Sequence, residues 1–208
     1  MLQGAFHIHP AFDLVATFFL AVTKTLAGMH KRYDLVGVTV LAMAVGVGGA
    51  LLRDGIFLQQ VPAVVKDGRY LLAVLGGAAA AVLLGRRVQR FRLVISVFDA
   101  LGLGVYAVVG AQKALQAGLP ALSAVLVGVV NAVGGGLLRD VLVREEPYVF
   151  QPGELYALAA LSGAASFALL AGALRTPPGA AALASVAVAV SVRLLSIRLG
   201  WRTGAFRD

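Results

Sequence analysis

The sequence predicts an all-α integral membrane protein with seven transmembrane helices, arranged as two inverted three-helix repeats plus a seventh helix. Composition is the first reason. Hydrophobic residues make up 60% of the 208 residues and charged residues only 13%, whereas a soluble domain averages about 25% charged residues. The mean hydropathy is +0.88. The other reasons are seven long apolar stretches and an internal repeat.

Each apolar stretch approaches the roughly 20 residues that a helix needs to cross a bilayer. The start of the chain lacks the basic segment of a signal peptide, so we expect the first span to be retained. Together the spans form a single membrane domain over residues 1–208. In chain order they are predicted at residues 12–29, 34–52, 69–85, 93–112, 120–143, 154–174 and 179–199.

An eight-residue motif occurs twice, 86 residues apart. Residues 47–54 read VGGALLRD and residues 133–140 read VGGGLLRD, so that seven of the eight positions are identical. The same offset relates Asp13 to Asp99 and Tyr70 to Tyr156. A repeat kept in register at separated places is a sign of a chain built from two halves.

The repeat predicts an inverted architecture. The first copy spans residues 12–85 and the second spans residues 93–174, with three helices in each. Because three is odd, the second copy enters the membrane from the opposite side. Inverted repeats typically hold a path for solutes at their interface. The helix at 179–199 has no counterpart, so we expect it to close the bundle.

The basic residues predict the orientation. Twelve Lys and Arg residues fall in the connections on one side of the membrane and five on the other, and the segment from Arg86 to Arg92 is the strongest anchor. The positive-inside rule therefore places the C-terminus in the cytoplasm and the N-terminus outside, in the cell (inner) membrane. The net charge of +8 then reflects topology and contact with anionic lipid rather than nucleic-acid binding.

Glycines interrupt the second and fifth spans at membrane depth. They are Gly48 and Gly49 in the first copy and Gly134, Gly135 and Gly136 in the second. Glycine inside a helix costs roughly 1 kcal/mol relative to alanine, so we predict a kink or an unwound turn at both motifs. The alternative is close packing of helices through their small faces.

Each glycine motif ends in an Arg-Asp pair, Arg53-Asp54 and Arg139-Asp140. Neighbouring residues on a helix point about 100° apart, so we predict that the two members do not pair with each other. Asp13 and Asp99 are candidate partners across the repeats. The alternative is that the arginines snorkel to the lipid headgroups.

Asp99 and Lys24 lie inside predicted spans. A charge at the bilayer centre costs at least ~2.5 kcal/mol, so such residues usually face a cavity or a partner. Asn131, one turn before the second glycine motif, is placed to bond across helices or to line the path. Phosphate loops, nucleophile elbows and HExxH motifs are absent from the sequence, so we expect no enzymatic activity, no bound metal and no cofactor other than a permeant ion.

The doubled glycine-Arg-Asp motif, the seven spans and the three-plus-three layout resemble the prokaryotic branch of the trimeric intracellular cation (TRIC) channels, from about Phe12 to Leu199. The resemblance implies a homotrimer in which each protomer carries its own pore between the repeats. It implies that the glycine motifs kink the pore helices and that potassium passes more readily than sodium. Ala50 replaces the third glycine of the first motif, so the two bends need not be equal.

The leading hypothesis is therefore a passive cation channel. Asp13 and Asp99 favour cations in the path, while Lys24, Arg53 and Arg139 set the barrier or hold a gate by pairing. The second hypothesis is a secondary transporter for a small zwitterion such as glycine, because related bacterial sequences carry that label. A non-conducting scaffold or lipid-binding protein is a third class, but it leaves the buried charges unexplained.

Overall fold

A computed structural model describes residues 10–31, 33–88, 92–153 and 155–204, and the secondary structure elements in these ranges are all helices. The predicted all-helical fold is thus confirmed. The α2 helix continues into a π-helical turn at Leu52–Phe57, and α7 into another at Ala168–Ala173. The helices are α1 (Pro10–His30), α2 (Leu35–Leu51), α3 (Ala63–Lys66), α4 (Gly68–Val88), α5 (Arg92–Gln116), α6 (Ala121–Leu142), α7 (Tyr156–Phe167) and α8 (Pro178–Leu199).

Five of the described helices are long and apolar enough to cross a membrane, and α4 adds a shorter apolar stretch at Gly68–Leu83. That α1 and α4 also cross, which gives seven spans, stays a prediction, as does the orientation of the termini. Arg32, Arg90 and Arg207, three of the basic residues used for that orientation, lie outside the described residues. The five segments are Leu35–Phe57, Leu93–Gln116, Ala121–Leu142, Tyr156–Ala173 and Pro178–Leu199.

The α5 helix is the centre of the bundle and packs against α1, α6, α7 and α8. Its buried face carries small side chains, such as Ala107 and Ala111, next to the large Leu103 and Tyr106, all at most 1% exposed. Small residues let helix backbones approach closely, which favours association between apolar helices. The α5 helix therefore holds the first repeat against the second.

The α2 and α6 helices cross on their glycines. A methyl group built on Gly135 would lie 2.6 Å from the carbonyl oxygen of Val45, and one built on Gly49 would overlap the carbonyl oxygen of Asn131. The two contacts are reciprocal, because adding 86 to Val45 and Gly49 gives Asn131 and Gly135. Only glycine fits at this crossing, where each backbone lies directly on the other.

A second reciprocal pair flanks the crossing. Gly48 packs on the side chain of Leu138, and Gly134 packs on the side chain of Leu52, with the same offset of 86. As the residue number rises in α2 it falls in the contacting part of α6, so the two helices run antiparallel. The two Arg-Asp pairs consequently lie at opposite ends of the crossing.

The glycine motifs remain helical, which corrects one expectation. The α2 helix is α-helical through Gly48 and Gly49 to Leu51, and α6 is α-helical through its three glycines to Leu142. The predicted unwinding is therefore wrong. Its physical reason is that the glycines allow the two backbones to touch while every turn keeps its main-chain bonds. A bend at the motifs stays a prediction.

The two copies differ just after the glycines. In the first motif the π-helical turn at Leu52–Phe57 begins two residues after Ala50, whereas α6 stays α-helical to Leu142. A π-helical turn closes its hydrogen bonds at i→i+5, and such turns are frequent at functional sites. The repeat is therefore symmetric at the glycines and asymmetric at the Arg53 end.

Candidate ion path between the repeats

Among the described residues Arg53 is the largest fully buried side chain, at 0% exposure. Its guanidinium donates to both carboxylate oxygens of Asp54, at 2.6 Å from Nε and 2.9 Å from Nη2. Its Nη1 reaches the side-chain oxygen of Asn131 at 3.4 Å. Asp54 also accepts from the backbone N–H of Ala63 at 3.0 Å, and Lys113 Nζ lies 3.6 Å from its Oδ2. The buried guanidinium is thus paired with a carboxylate and hydrogen-bonded through all three of its nitrogens, as burial requires.

The prediction that adjacent Arg and Asp residues do not pair is wrong in both copies. Arg139 pairs with Asp140 through Nε and Nη2, as Arg53 pairs with Asp54. The long side chain of arginine folds back across the 100° between neighbours and presents its planar fork to the carboxylate. Burial of Arg53 also excludes snorkelling to the headgroups at that position.

Asp13 anchors a hydrogen-bond chain next to Arg53. Its Oδ2 accepts from the Tyr70 hydroxyl at 2.7 Å. Thr17, one turn along α1, bonds to the Asp13 carbonyl and shares a 2.7 Å hydrogen bond with the Tyr106 hydroxyl. Tyr106 also lies 3.1 Å from the carbonyl oxygen of Gly46. Together with Arg53 these residues form the Arg53 cluster, which ties α1, α2, α4 and α5 together.

A second group of polar residues lies at the other end of the crossing. This Arg139 cluster comprises Lys24, Asp99, Arg139, Asp140, Tyr148, Tyr156 and Arg193. Lys24 Nζ donates to Asp99 Oδ1 at 2.9 Å, between α1 and α5. Asp140 Oδ2 accepts from the backbone N–H of Tyr148 at 2.8 Å, which fastens the loop after α6. From α8, the guanidinium of Arg193 lies 5.0 Å from the ring centre of Tyr156, a cation–π contact.

One cavity opens at the Arg139 cluster and another beside Asp54, the partner of Arg53. The larger has a volume of about 470 Å³ and the smaller about 250 Å³. The large cavity is bordered by the Arg139 cluster together with Thr23, Leu26, Ile95, Ser96, Val133, Gly136, Leu137 and Val149. The small cavity is bordered by Asp54, Leu58, Gln60, Val61, Ala63, Lys66, Lys113, Gln116 and Ala117.

A closed segment lies between the cavities at the α2–α6 crossing. It contains no space for a water molecule, and its walls come from both repeats. It shares Lys24, Gly136 and Tyr156 with the large cavity, and its Asn131 is linked through Arg53 to Asp54, which borders the small cavity. Asn131 fixes it from one side, since its Nδ2 donates to the Tyr106 carbonyl at 2.6 Å. The lining residues are Leu20, Lys24, Val45, Gly49, Tyr106, Asn131, Ala132, Gly135, Gly136 and Tyr156.

The structure assembles the predicted site residues into three places. Asp13, Arg53, Asp54 and Asn131 meet in or beside the Arg53 cluster, and Lys24, Asp99, Arg139 and Asp140 meet in the Arg139 cluster. Four of the five glycines form the crossing, while Gly136 has nothing within 4 Å of its missing methyl and borders the large cavity. Asp13 and Asp99 bond to Tyr70 and Lys24 rather than to the arginines of the motifs.

Sequence reasoning missed the polar side chains that connect these groups. Thr17, Tyr106, Tyr148 and Arg193 carry no motif, and Thr17 and Tyr106 are flanked by apolar residues. Lys113 carries no motif either, and its ammonium lies 3.6 Å from Asp54 Oδ2. The one signal available was the 86-residue offset, which already related Tyr70 to Tyr156.

Comparisons with known proteins match this arrangement. The family described as Glycine transporter matches residues 10–86 and 96–172, once on each repeat. A TRIC orthologue from Rhodobacter sphaeroides superimposes with a TM-score of 0.84 at 34% identity, covering 92% of this chain and 97% of that one. The chain belongs to the prokaryotic TRIC channel family. A second TRIC structure, described as explaining conductance through these cation channels, gives a TM-score of 0.86 at 26% identity, covering 97% and 98% of the two chains.

Bacterial relatives of this TRIC family member are membrane proteins. The inner membrane protein YadS of Escherichia coli K12 is 34% identical over 188 residues, which is 89% of this chain and 90% of that one. A membrane protein of Deinococcus radiodurans is 40% identical over 160 residues, 76% and 74% of the two chains. The predicted family and the multi-pass location in the cell (inner) membrane are confirmed. The structural relatives are channels, so the expectation that the chain is not an enzyme is confirmed as well.

Proposed function

We propose that the chain is a passive channel for monovalent cations, potassium more than sodium, with one path in each protomer between two inverted repeats. The single observation that carries the proposal is the pair of cavities at opposite ends of the α2–α6 crossing, separated by a closed segment. A chain of cavities with one constriction is the shape of a gated path. The structure then corresponds to its closed state.

The reciprocal glycine contacts support the inverted arrangement. Gly49 contacts Asn131 and Gly135 contacts Val45, so each repeat makes the same glycine contact with the other repeat. Such reciprocity is the property of a two-fold axis through the crossing. A path on that axis is lined equally by both repeats, and its narrowest point falls at the glycines.

Cation preference in this path comes from oxygen atoms. The carbonyl groups of Gly46, Val45 and Asn131 face the crossing, and Tyr106 adds a hydroxyl. Asp54, Asp99 and Asp140 are each paired with an Arg or Lys in the closed state, whereas Asp13 is bonded to Tyr70. Opening that frees one of the paired carboxylates has to separate such a pair. Selectivity therefore depends on which pair opens, and we expect it to be modest.

The assembly that we propose is a homotrimer with three separate paths. The relatives of known structure are described as trimeric, and both repeats of one chain supply the walls of the closed segment. Each protomer therefore holds a complete path. Exposed leucines on α4, such as Leu72 and Leu83, leave apolar surface for lipid or for neighbouring protomers.

A second candidate function is transport of a small zwitterion such as glycine. It is favoured by the description of the matching family and by the large cavity, which presents both carboxylates and basic side chains. A carrier binds its solute and exchanges it across the membrane, whereas a channel does not saturate in that way.

Purified protein in liposomes separates the two functions. We expect potassium efflux that stops when the membrane potential is held at the potassium equilibrium potential. We expect no uptake of labelled glycine driven by unlabelled glycine inside the liposomes. A matched Asp99→Asn protein should pass less potassium. Saturable glycine counterflow without potassium efflux would replace the channel with the carrier.

A further inference from the structure

Asp99 is paired with a positively charged group of the same chain, the ammonium of Lys24. The Lys24 ammonium lies 2.9 Å from Asp99 Oδ1, and the two side chains are only 8% and 17% exposed. Lys24 borders both the large cavity and the closed segment, whereas Asp99 borders only the large cavity. The ammonium therefore occupies the place where a cation entering from the large cavity would meet the constriction.

The other repeat has no such lysine at the equivalent place. Under the offset of 86, the pair Lys24–Asp99 corresponds to Gly110 and Asp13. Gly110 is packed against α6, where an added methyl would lie 2.8 Å from the Cβ of Asn131. Asp13 is 5% exposed, and its Oδ1 has no hydrogen-bond partner among the described residues. The repeated carboxylate is thus occupied by a lysine at one end of the path only.

The charged groups around Asp99 determine the net charge of the large cavity when Lys24 is removed. The large cavity is bordered by three basic groups, Lys24, Arg139 and Arg193, and by two carboxylates, Asp99 and Asp140. Without the lysine the positive and negative charges balance. Adding one free cation beside Asp99 then restores the charge that the native cavity has.

We propose that the position beside Asp99 Oδ1 is a binding site for a monovalent cation, and that Lys24 is its tethered occupant. While the ammonium stays in place, no free cation reaches Asp99 and the path is shut at this level. When the ammonium leaves, the site takes a free alkali or primary ammonium ion. The role in gating rests on the proposed channel function, whereas binding of the cation does not.

Removal of the tether gives a binding test. Lys24→Ala keeps the Cβ atom, and n-propylammonium supplies the missing three carbons and the ammonium. A charge-assisted hydrogen bond is worth enough to give about a tenfold difference in affinity. We expect n-propylammonium to raise the unfolding temperature of the full-length variant in detergent, with an apparent affinity about tenfold above that for the native protein.

Three comparisons make the binding test specific. Neutral n-propanol should leave the variant unchanged, and so should n-propylammonium added to a Lys24→Ala/Asp99→Asn protein, which has lost both charges together. Lys31→Ala, which removes an exposed lysine paired with Glu145, should behave as the native protein does. Equal stabilisation of the single and double variants would overturn the site.

Current recordings test the gating part. We expect Lys24→Ala to pass more potassium current than the native protein, and n-propylammonium to block it about tenfold more strongly than it blocks the double variant. If ammonium binding depends on Asp99 but no variant conducts, the cation site is supported and the channel function is refuted. If the variants conduct but block by n-propylammonium is the same with and without Asp99, the channel function is supported and the cation site is refuted.

Discussion

Replacing Gly135 by alanine tests one of the two backbone contacts of the crossing. The added methyl lies 2.6 Å from the carbonyl oxygen of Val45, and ordinary contact begins at 3.4 Å, so the two helices have to separate by about 0.8 Å. The neighbouring atom belongs to the backbone and cannot rotate away. Overpacking of this kind costs typically about 1–3 kcal/mol, against a gain of roughly 1 kcal/mol from better helix propensity.

Gly136→Ala is the matched control in the same helix. Its methyl meets nothing within 4 Å, so only the propensity gain of roughly 1 kcal/mol applies. We therefore expect Gly135→Ala to be less stable than Gly136→Ala by about 1–3 kcal/mol, measured as reversible unfolding in detergent micelles. The same free energy of unfolding for both variants would refute the close crossing.

Three further substitutions probe the polar clusters. Asp99→Asn leaves Lys24 buried without its carboxylate, which should cost about 3–5 kcal/mol of folding free energy in the same unfolding assay and lower the cation preference in planar bilayers. Tyr70→Phe removes the donor to Asp13 and should cost about 1.5–3 kcal/mol of folding free energy. Asp140→Asn weakens the attachment of the loop after α6, so limited proteolysis should cut that loop faster.

Each substitution has a matched control. Removing Lys24 together with Asp99 should recover most of the stability lost in Asp99→Asn, because no buried charge is then left alone. Tyr33→Phe alters an exposed tyrosine and should stay within about 0.5 kcal/mol of the native protein. Glu146→Gln lies in the same exposed loop and should leave its proteolysis unchanged. A variant that equals its control would remove that contact from the account.

The fold was largely accessible to sequence reasoning because apolar length and an in-register repeat are both properties of the chain alone. The positions of Arg53, Lys24 and Asp99 inside spans already required partners. Which partner each residue takes depends on how the helices cross, and that is set by packing. Lys24 therefore could not be assigned to Asp99 from spacing alone.

The glycine motifs show where local rules mislead. Helix propensity counts Gly49 and Gly135 as weak points and predicts that the helix opens there. The cost is instead offset by contact with a second helix, whose backbone reaches the space that a side chain would fill. The rule that adjacent residues of a helix do not pair fails at Arg53 for a different reason. The arginine side chain is long enough to fold back to its neighbour Asp54.

A single-channel recording of the native protein in a potassium chloride gradient tests the central claim most directly. The closed segment between two cavities predicts brief openings with unitary current steps, reversing nearer to the potassium than to the chloride equilibrium potential. A protein that shows no unitary steps while it exchanges glycine across the membrane, or a current that reverses at the chloride potential, would contradict the account.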